Sequence, residues 1–533
     1  MGIEIVFYGG AGDHSKGELG GVQCLVNKEF LIDFGQPPDR SSEFYGFPYK
    51  SKPFLSLDVL QRLGLYPKIA GLYRHDYEHH RGNKSLGKCP LKGLAVTHPH
   101  YDHIGGIPLL RHDLPIYMHE KAAQVALAWQ HTSGITNNQF IGLVNQLLLT
   151  NDKYGRAKFA DGLEAIIPRD IRTFGDEEIF ELGSFKITAY PVDHSTPGSC
   201  GFILDTPVGK IGWSGDIRKR GRHPERTQHF IEALKEQGIK YLFWEGSLLH
   251  FEHEGSEKEV RRKIAELIQG RALVGIAYPP RDFERIATLY EAAKDTGRML
   301  VVSPAQALGL KLLNGMDGYP KLDWKYIGVL LQRKNKGIID KDEFADDKLM
   351  ELIERDYFHY ERDFLKKDKW QASDGEGNKK GHQSKVQRVS IEELKRHQEQ
   401  FIVYMPLANM PEMLEEIQPA ANSIFIRSHP APWTPEMEEM EKRQINLLRT
   451  FGMDDGPRLD YLTPYTNNGG NWRNMHQVHV AGHLNRRETR EILQQFNCTI
   501  IPFHCLNPED FVKDVAGHTK VIIPERGQPL YLD

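Results

Sequence analysis

Alternation of apolar and polar positions predicts a strand over residues 3–8, and two further short strands over 22–26 and 30–34, separated by Asn27-Lys28 as a hairpin turn. Residues 94–96 (Leu-Ala-Val) read as a buried strand ending at Thr97, and residues 114–118 as another. Ala, Val and Leu at helical spacing predict a helix over 120–129. Strands follow over 180–192, broken by a turn at Gly183-Ser184, over 201–213 as a hairpin around Pro207-Val208-Gly209, and over 241–244, with a helix near 227–236 between the last two. The register then changes. Ser256 to Glu259 is a capping box opening a helix whose one face carries Val260, Ile264, Leu267 and Ile268. A strand over 271–277, a helix over 282–296 closed by Gly297 and a strand over 299–302 give the β-α-β alternation of a parallel sheet. Residues 310–400 are charge-rich and the least readable, with 373–381 expected as a flexible loop. Strands return over 401–405, 423–426, 478–480 and 499–503, with a helix over 435–451.

At 533 residues the chain is too long for one ordinary core, so two or more domains are expected. Its 40% hydrophobic and 26% charged content is that of a globular protein, and no apolar run approaches the roughly 20 residues of a membrane span. The N-terminus lacks a basic, then apolar, signal-peptide pattern, and Val6 breaks the myristoylation pattern after Gly2. Five cysteines without CxxC spacing argue against a disulfide framework or a cysteine zinc site and suit a reducing cytosol, so a cytoplasmic location is expected. The net charge of −4 neither announces nor excludes a nucleic-acid partner, since a local basic groove can sit on a neutral protein.

The chemistry concentrates at strand ends. His98, His100, Asp102 and His103 fall within six residues directly after the strand over 94–96, and Gly105-Gly106 then force a turn. Imidazoles at i and i+2 on extended backbone point to one side, and three nitrogen donors with one carboxylate suit divalent cations. His194, Asp216 and His504 obey the same rule, each lying just past an apolar strand. Singly, a histidine such as His194 or His504 is more often structural. Together the seven donors, five His and two Asp, close two metals if Asp216 bridges them.

Thr97-His98-Pro99-His100-Tyr101-Asp102-His103 before Gly105-Gly106, then Asp193-His194-Ser195, then Ser214-Gly215-Asp216, resembles the metallo-β-lactamase superfamily. Glu245-Gly246-Ser247, His479-Val480-Ala481-Gly482-His483 and Pro502-Phe503-His504 resemble motifs A, B and C of its β-CASP branch, most closely RNase J-like ribonucleases; Phe283-Glu284-Arg285-Ile286 and Gly297-Arg298 resemble that branch's inserted domain. The resemblance covers most of residues 1–310 and 400–533. It implies an α/β fold: an αββα metallo-β-lactamase sandwich with an inserted β-CASP α/β domain. The expected boundaries are 1–247 for the first part of the sandwich, 248–474 for the insertion and 475–533 for the sandwich's C-terminal part.

The resemblance further implies two Zn²⁺ ions, one on His98, His100 and His194, the other on Asp102, His103 and His504, with Asp216 between them. It implies hydrolysis of RNA phosphodiester bonds through a metal-bridging hydroxide, with Asp102, His483 and Glu245 as the catalytic residues. Glu245 would orient a ligand imidazole such as that of His103 or His504, and His483 would donate a proton to the leaving oxygen or steady the scissile phosphate. A histidine at motif C goes with the RNA-processing members of the branch. The expected partners are single-stranded RNA and a second copy of the chain, with no membrane. Two departures bear on the terminal-phosphate pocket of RNase J-like proteins: Ala481 stands where they usually have Ser, and Cys505-Leu506 where they usually have Gly-Glu. The family's extra C-terminal domain and a preceding RNA-binding module are not expected. Backbone contacts are expected from Arg218, Lys219, Arg220 and Arg222 after Asp216, and from a run of Lys379, Lys380, Lys385, Arg388, Lys395 and Arg396, although such a run is usually a solvated face. The alternatives are a hydrolase of a small ester or thioester on the same metal core, a DNA nuclease, or a non-catalytic subunit of a processing complex. The long insertion argues against the first and the intact donor set against the last.

Overall fold

The computed structural model describes residues 2–13, 17–45, 57–74, 76–77, 87–132, 141–151, 153–155, 157–249, 255–331, 351, 354, 362, 387–430, 432, 435–456, 478–515 and 520–533. The chain forms two compact units, one from Met1–Lys219, His223–Glu252 and Gly482–Asp533, the other from Arg220–Arg222 and His253–Ala481.

The first unit is built on two sheets. One has seven strands in the spatial order Pro529–Leu532, Ile3–Gly9, Gln23–Val26, Phe30–Phe34, Gly93–Val96, Ile116–His119 and Ile171–Phe174. It is antiparallel through Phe30–Phe34 and parallel beyond it. Asn27 and Lys28 both take left-handed φ (48° and 57°) in the three-residue turn between the paired Val26 and Phe30, a twist that matches that of the strands. The other sheet has six strands, in the order Thr499–Phe503, Tyr241–Glu245, Ile211–Trp213, Cys200–Asp205, Phe185–Pro191 and Ile179–Leu182.

The inner faces of the two sheets share one core, in which Ile5, Phe7, Ile32 and Ala95 meet Phe185, Phe202, Trp213, Phe243 and Phe503. The Phe7 and Trp213 rings stack at 5.7 Å, and Trp213 lies 4.7 Å from Phe503. Burying each such ring contributes about 1.5–3 kcal/mol, which holds the sheets face to face. The outer face of the six-stranded sheet is covered by helices Pro224–Glu236, Arg486–Leu493 and Pro508–Val515, through Phe230, Leu234, Ile492, Leu493 and Phe511. Helix Glu120–Thr132 contacts strands Ile116–His119 and Ile171–Phe174. The result is a four-layer αββα sandwich.

The second unit is an α/β domain. Its six strands, in the order Gln387–Val389, Ile327–Leu330, Met299–Val302, Phe401–Tyr404, Val274–Ala277 and Ile424–Arg427, are all parallel. Parallel pairing requires crossovers, supplied here by helices such as Glu257–Ile268, Phe283–Asp295 and Pro304–Leu313. Ser256 Oγ accepts the Glu259 N–H at 3.3 Å, but the Glu259 carboxylate turns to the Ser256 hydroxyl at 3.0 Å, so only half of the expected capping box forms.

The apolar periodicity found most strands and missed several elements. The hairpin of Leu143–Asn151 and Ala157–Pro168, the helices Met410–Ile417, Arg486–Leu493 and Pro508–Val515, and the strand Pro529–Leu532 have no counterpart in the sequence reading. Residues 478–480 form no strand. The Val478 carbonyl is instead taken by Ser428 Oγ at 2.6 Å and by Arg285 at 3.0 Å. The loop expected over 373–381 lies outside the described residues. Among the described residues no helix is long and apolar enough to cross a membrane, and all five cysteines are free thiols.

Candidate metal centre

Strand Gly93–Val96 is buried throughout and delivers Thr97 and His98 into the interior at its end. The chain then turns into the one-turn helix Tyr101–Ile104, preceded by His100 and carrying Asp102 and His103. Glycines shape the ground beneath this turn. A Cβ on Gly35 would sit 1.6 Å from the Asp102 carbonyl oxygen, and one on Gly20, at φ +70°, would sit 2.9 Å from Asp102 Oδ2. The Asp102 carbonyl is fixed by the Val22 N–H at 3.0 Å. His194, Asp216 and His504 arrive just past the strands Phe185–Pro191, Ile211–Trp213 and Thr499–Phe503, all in the other sheet. His504 takes left-handed φ (50°), and its N–H reaches the Gly10 carbonyl at 2.7 Å.

The seven donors fall into two groups, each able to hold a metal ion: His98, His100 and His194, and Asp102, His103, Asp216 and His504. In the first, His100 Nδ1 lies 3.1 Å from His98 Nε2 and 3.0 Å from His194 Nε2. The remaining nitrogen of each ring has an outward partner: Thr97 Oγ1 at 3.0 Å for His98, Ser195 Oγ at 3.3 Å for His100 and the Gly482 carbonyl for His194. With its proton held outward, each ring turns a lone pair toward the common point. In the second group His504 Nε2 lies 3.1 Å from Asp102 Oδ2, and His103 Nε2 lies 3.7 Å from the same oxygen. Asp216 Oδ2 stands between the groups, 3.5 Å and 3.9 Å from Nε2 of His98 and His194, and 3.3 Å and 3.7 Å from Nε2 of His103 and His504.

The donor set fits divalent cations. Among the described residues, His103 Nε2 and Asp216 Oδ1 are buried without a hydrogen-bond partner, an arrangement that costs free energy unless another ligand completes it. The electrostatics separate the two groups. Burial, reinforced by neighbouring imidazoles, holds His98 and His194 well below the ordinary imidazole range and brings His100 down to about 4, so these rings are neutral lone-pair donors. Burial also works against the charged form at His103 and His504, but nearby carboxylates, Asp216 foremost, raise His103 well above the usual range and His504 to about 9. Burial would push the carboxyls of Asp102 and Asp216 up; the imidazoles around them bring both below the usual range.

Side chains outside the predicted set orient the donors. Asp33, fully buried at the end of strand Phe30–Phe34 and itself at left-handed φ (55°), accepts from His103 Nδ1 at 2.8 Å, from the Thr97 hydroxyl at 2.8 Å and from the Thr97 N–H at 2.8 Å. Glu245 Oε1 meets His483 Nδ1 at 3.1 Å, while Oε2 accepts from the N–H and hydroxyl of Ser247 at 2.9 and 2.7 Å. The structure thus gives His103 a different carboxylate partner, Asp33, from the one the sequence suggested. Asp33, Thr97 and Ser247 were missed as functional residues. For Asp33 the signal was available, since a carboxylate inside an otherwise apolar five-residue strand needs a buried partner.

Three of the four basic residues after Asp216 have partners within the protein. Arg218 is buried against Asp193 at 3.3 Å, Lys219 donates to Gln228 at 2.9 Å, and Arg222 pairs with Glu291 at 2.6 Å. In the later run, Lys379, Lys380 and Lys385 lie outside the described residues; Arg388 is half-buried, Lys395 is exposed and Arg396 is exposed beside Glu392 at 2.9 Å.

Residues 28–274 match the family model of the metallo-beta-lactamase superfamily. The match falls mainly on the first unit and is in keeping with its two-sheet sandwich and strand-end donors. The chain is 28% identical over 286 residues to Ribonuclease J of Mycoplasma genitalium, a match covering 51% of this chain and 43% of that protein. It is also 28% identical over 240 residues to Ribonuclease J 1 of Streptococcus pyogenes serotype M3, covering 44% and 37% of the two chains. The chain spans less than half the length of either relative. Across the whole chain the fold resembles a crystal structure of a protein of unknown function from Enterococcus faecalis V583, with TM-score 0.62, 15% identity and 100% of both chains covered.

Proposed function

We propose that this protein is a zinc-dependent ribonuclease that hydrolyses RNA phosphodiester bonds. The observation that carries the reading is the convergence of seven donors into two adjacent groups sharing Asp216, with the Glu245–His483 pair beside them. His98, His100 and His194 would hold one Zn²⁺ and Asp102, His103 and His504 the other, with Asp216 facing both. Such a pair of ions supplies Lewis acidity, lowering the pKa of an attacking water and neutralising phosphoryl oxygens.

The protein's own groups do the rest. His483 Nδ1 lies 3.1 Å from Glu245 and 3.9 Å from Asp216, which raises its pKa against the effect of burial and keeps a proton available near neutrality. Its Nε2 would deliver that proton to the leaving oxygen. Two considerations support RNA as substrate: His504 occupies the motif C position, and the relatives above bear ribonuclease names. The second unit, with its parallel sheet, is proposed as the β-CASP domain.

The test is incubation of the purified protein with 5′-monophosphate, 5′-triphosphate and 5′-hydroxyl RNAs beside matching single-stranded DNA, with and without chelator. Metal-dependent cleavage of RNA is expected. Turnover of a generic ester with all nucleic acids left intact would overturn the reading and favour the small-substrate hydrolase. Comparing the three 5′ ends also addresses Ala481, since a family-like terminal-phosphate pocket would favour the monophosphate.

A further inference from the structure

Glu245 is the last residue of strand Tyr241–Glu245, and its carboxylate is almost completely buried. Oε1 faces His483 Nδ1 at 3.1 Å and receives the Ile217 N–H at 3.5 Å. Oε2 faces Ser247, two residues on and 2% exposed, taking its N–H at 2.9 Å and its hydroxyl at 2.7 Å. The same hydroxyl oxygen lies 2.7 Å from His504 Nδ1 and 3.3 Å from the His504 carbonyl.

A serine hydroxyl has one proton to give. A carboxylate only accepts, so the proton on Ser247 Oγ goes to Glu245 and the Ser247 oxygen accepts from His504 Nδ1. That arrangement holds a proton on His504 Nδ1 and leaves Nε2, turned toward Asp102 and Asp216 at 3.1 and 3.7 Å, as the nitrogen a metal would take. Resting on the dinuclear reading above, we propose that Ser247 is a positioning residue: its hydroxyl ties the metal ligand His504 to Glu245, so that one carboxylate sets both His504 and His483. The relay bears on one metal position. The three-histidine group is oriented through Thr97, Ser195 and the Gly482 carbonyl, none of which contacts Ser247 through these bonds.

The experiment compares wild type, Ser247→Ala and Ser247→Thr by competition titration of Zn²⁺ against a chelating dye, with circular dichroism to establish the fold. Loss of an outer hydrogen bond to a ligand imidazole typically weakens metal binding 10–100-fold. With the fold intact, Ser247→Ala is expected to weaken one of two Zn²⁺ sites by about that factor and leave the other unchanged. Ser247→Thr, which restores a hydroxyl, is expected to bind both ions within about threefold of wild type. Wild-type affinity at both sites in Ser247→Ala would overturn the proposal. So would equal loss at both sites, or a Ser247→Thr that folds yet binds like Ser247→Ala, since either result marks a merely structural residue. The readout is independent of substrate: selective loss of one ion in a protein that cleaves no RNA leaves this inference standing and removes the ribonuclease reading. A wild type that binds no Zn²⁺ removes both.

Discussion

Asp33 and His103 are 70 residues apart in sequence and joined by a 2.8 Å hydrogen bond from the ring Nδ1 to Oδ2, with neither side chain exposed. Oδ2 also takes the Thr97 hydroxyl, whose oxygen lies 3.0 Å from His98 Nδ1. One carboxylate therefore orients a donor in each metal group. Asp33→Ala is expected to weaken both Zn²⁺ sites by roughly 10–100-fold, where Ser247→Ala weakens one. Zinc retained after dialysis against graded chelator measures this; loss confined to a single ion would contradict it.

Asp216 Oδ2 lies within 3.9 Å of four imidazole Nε2 atoms drawn from both groups. Asp216→Ala is expected to lower bound zinc from about two ions per chain to one or fewer and to abolish RNA cleavage, with the far-ultraviolet spectrum unchanged. Asp102→Ala is expected to abolish cleavage while keeping the three-histidine ion. Elemental analysis beside an RNA cleavage assay distinguishes the two variants.

The pH dependence follows from the opposite shifts in the two groups. The raised pKa values of His103 and His504 give the metal-free protein stability that is full below about pH 6.5 and, for His504, is lost as pH rises through about 9. The depressed pKa values of Asp102 and Asp216 give stability that is present above about pH 4 and lost as pH falls through their folded values. The depressed pKa values of His98, His100 and His194 cost further stability as pH falls below about 6.5, so thermal unfolding in chelator is expected to show maximum stability near pH 6.5, falling on both sides. Zinc binding must displace the protons on His103 and His504, so affinity at that site should fall with decreasing pH more steeply than at the three-histidine site, whose rings are already neutral. Titrations at several pH values check this; parallel pH slopes at both sites would refute it.

In the second unit, Arg285 and Glu257 form a buried ion pair at 2.8 Å, with Arg285 also donating to Ser428 Oγ at 2.9 Å and to the Val478 carbonyl at 3.0 Å. Removing one partner strands the other's charge in the interior. Arg285→Ala is expected to destabilise that unit by about 3–5 kcal/mol. Arg262→Ala, at an exposed pair with Glu266, should change stability by well under 1 kcal/mol. Urea unfolding followed by fluorescence compares them, and similar midpoints for the two variants would count against the buried pair.

Most strands of both units were legible because their residues alternate or run apolar, a pattern burial imposes locally. The helices Arg486–Leu493 and Pro508–Val515 were not, because each is only eight residues long, about two turns, too short for its apolar spacing to repeat. The strand Pro529–Leu532 alternates over only four residues, with Leu530 and Leu532 turned to the core and Pro529 and Tyr531 exposed, and its place comes from pairing with Ile3–Gly9. Arg218 and Arg222 illustrate the reverse error. Charge in the sequence suggested a phosphate-binding strip, but carboxylates distant in sequence had already claimed those guanidinium groups.

The sequence alone determined the seven candidate donors, because metal-ligand chemistry restricts residue type and strand ends are visible as breaks in apolar runs. The tertiary structure decided how they divide into two groups around Asp216, and which side chains orient them. Ser247 and the Gly482 carbonyl have no local signature, and the one Asp33 has, a carboxylate in an apolar strand, does not say which residue it meets. They acquire their roles only when the two sheets bring chain segments as many as 288 residues apart within hydrogen-bonding distance. Orientation depends on distance and angle in space, and those are set by the packing of the sheets rather than by any short stretch of chain.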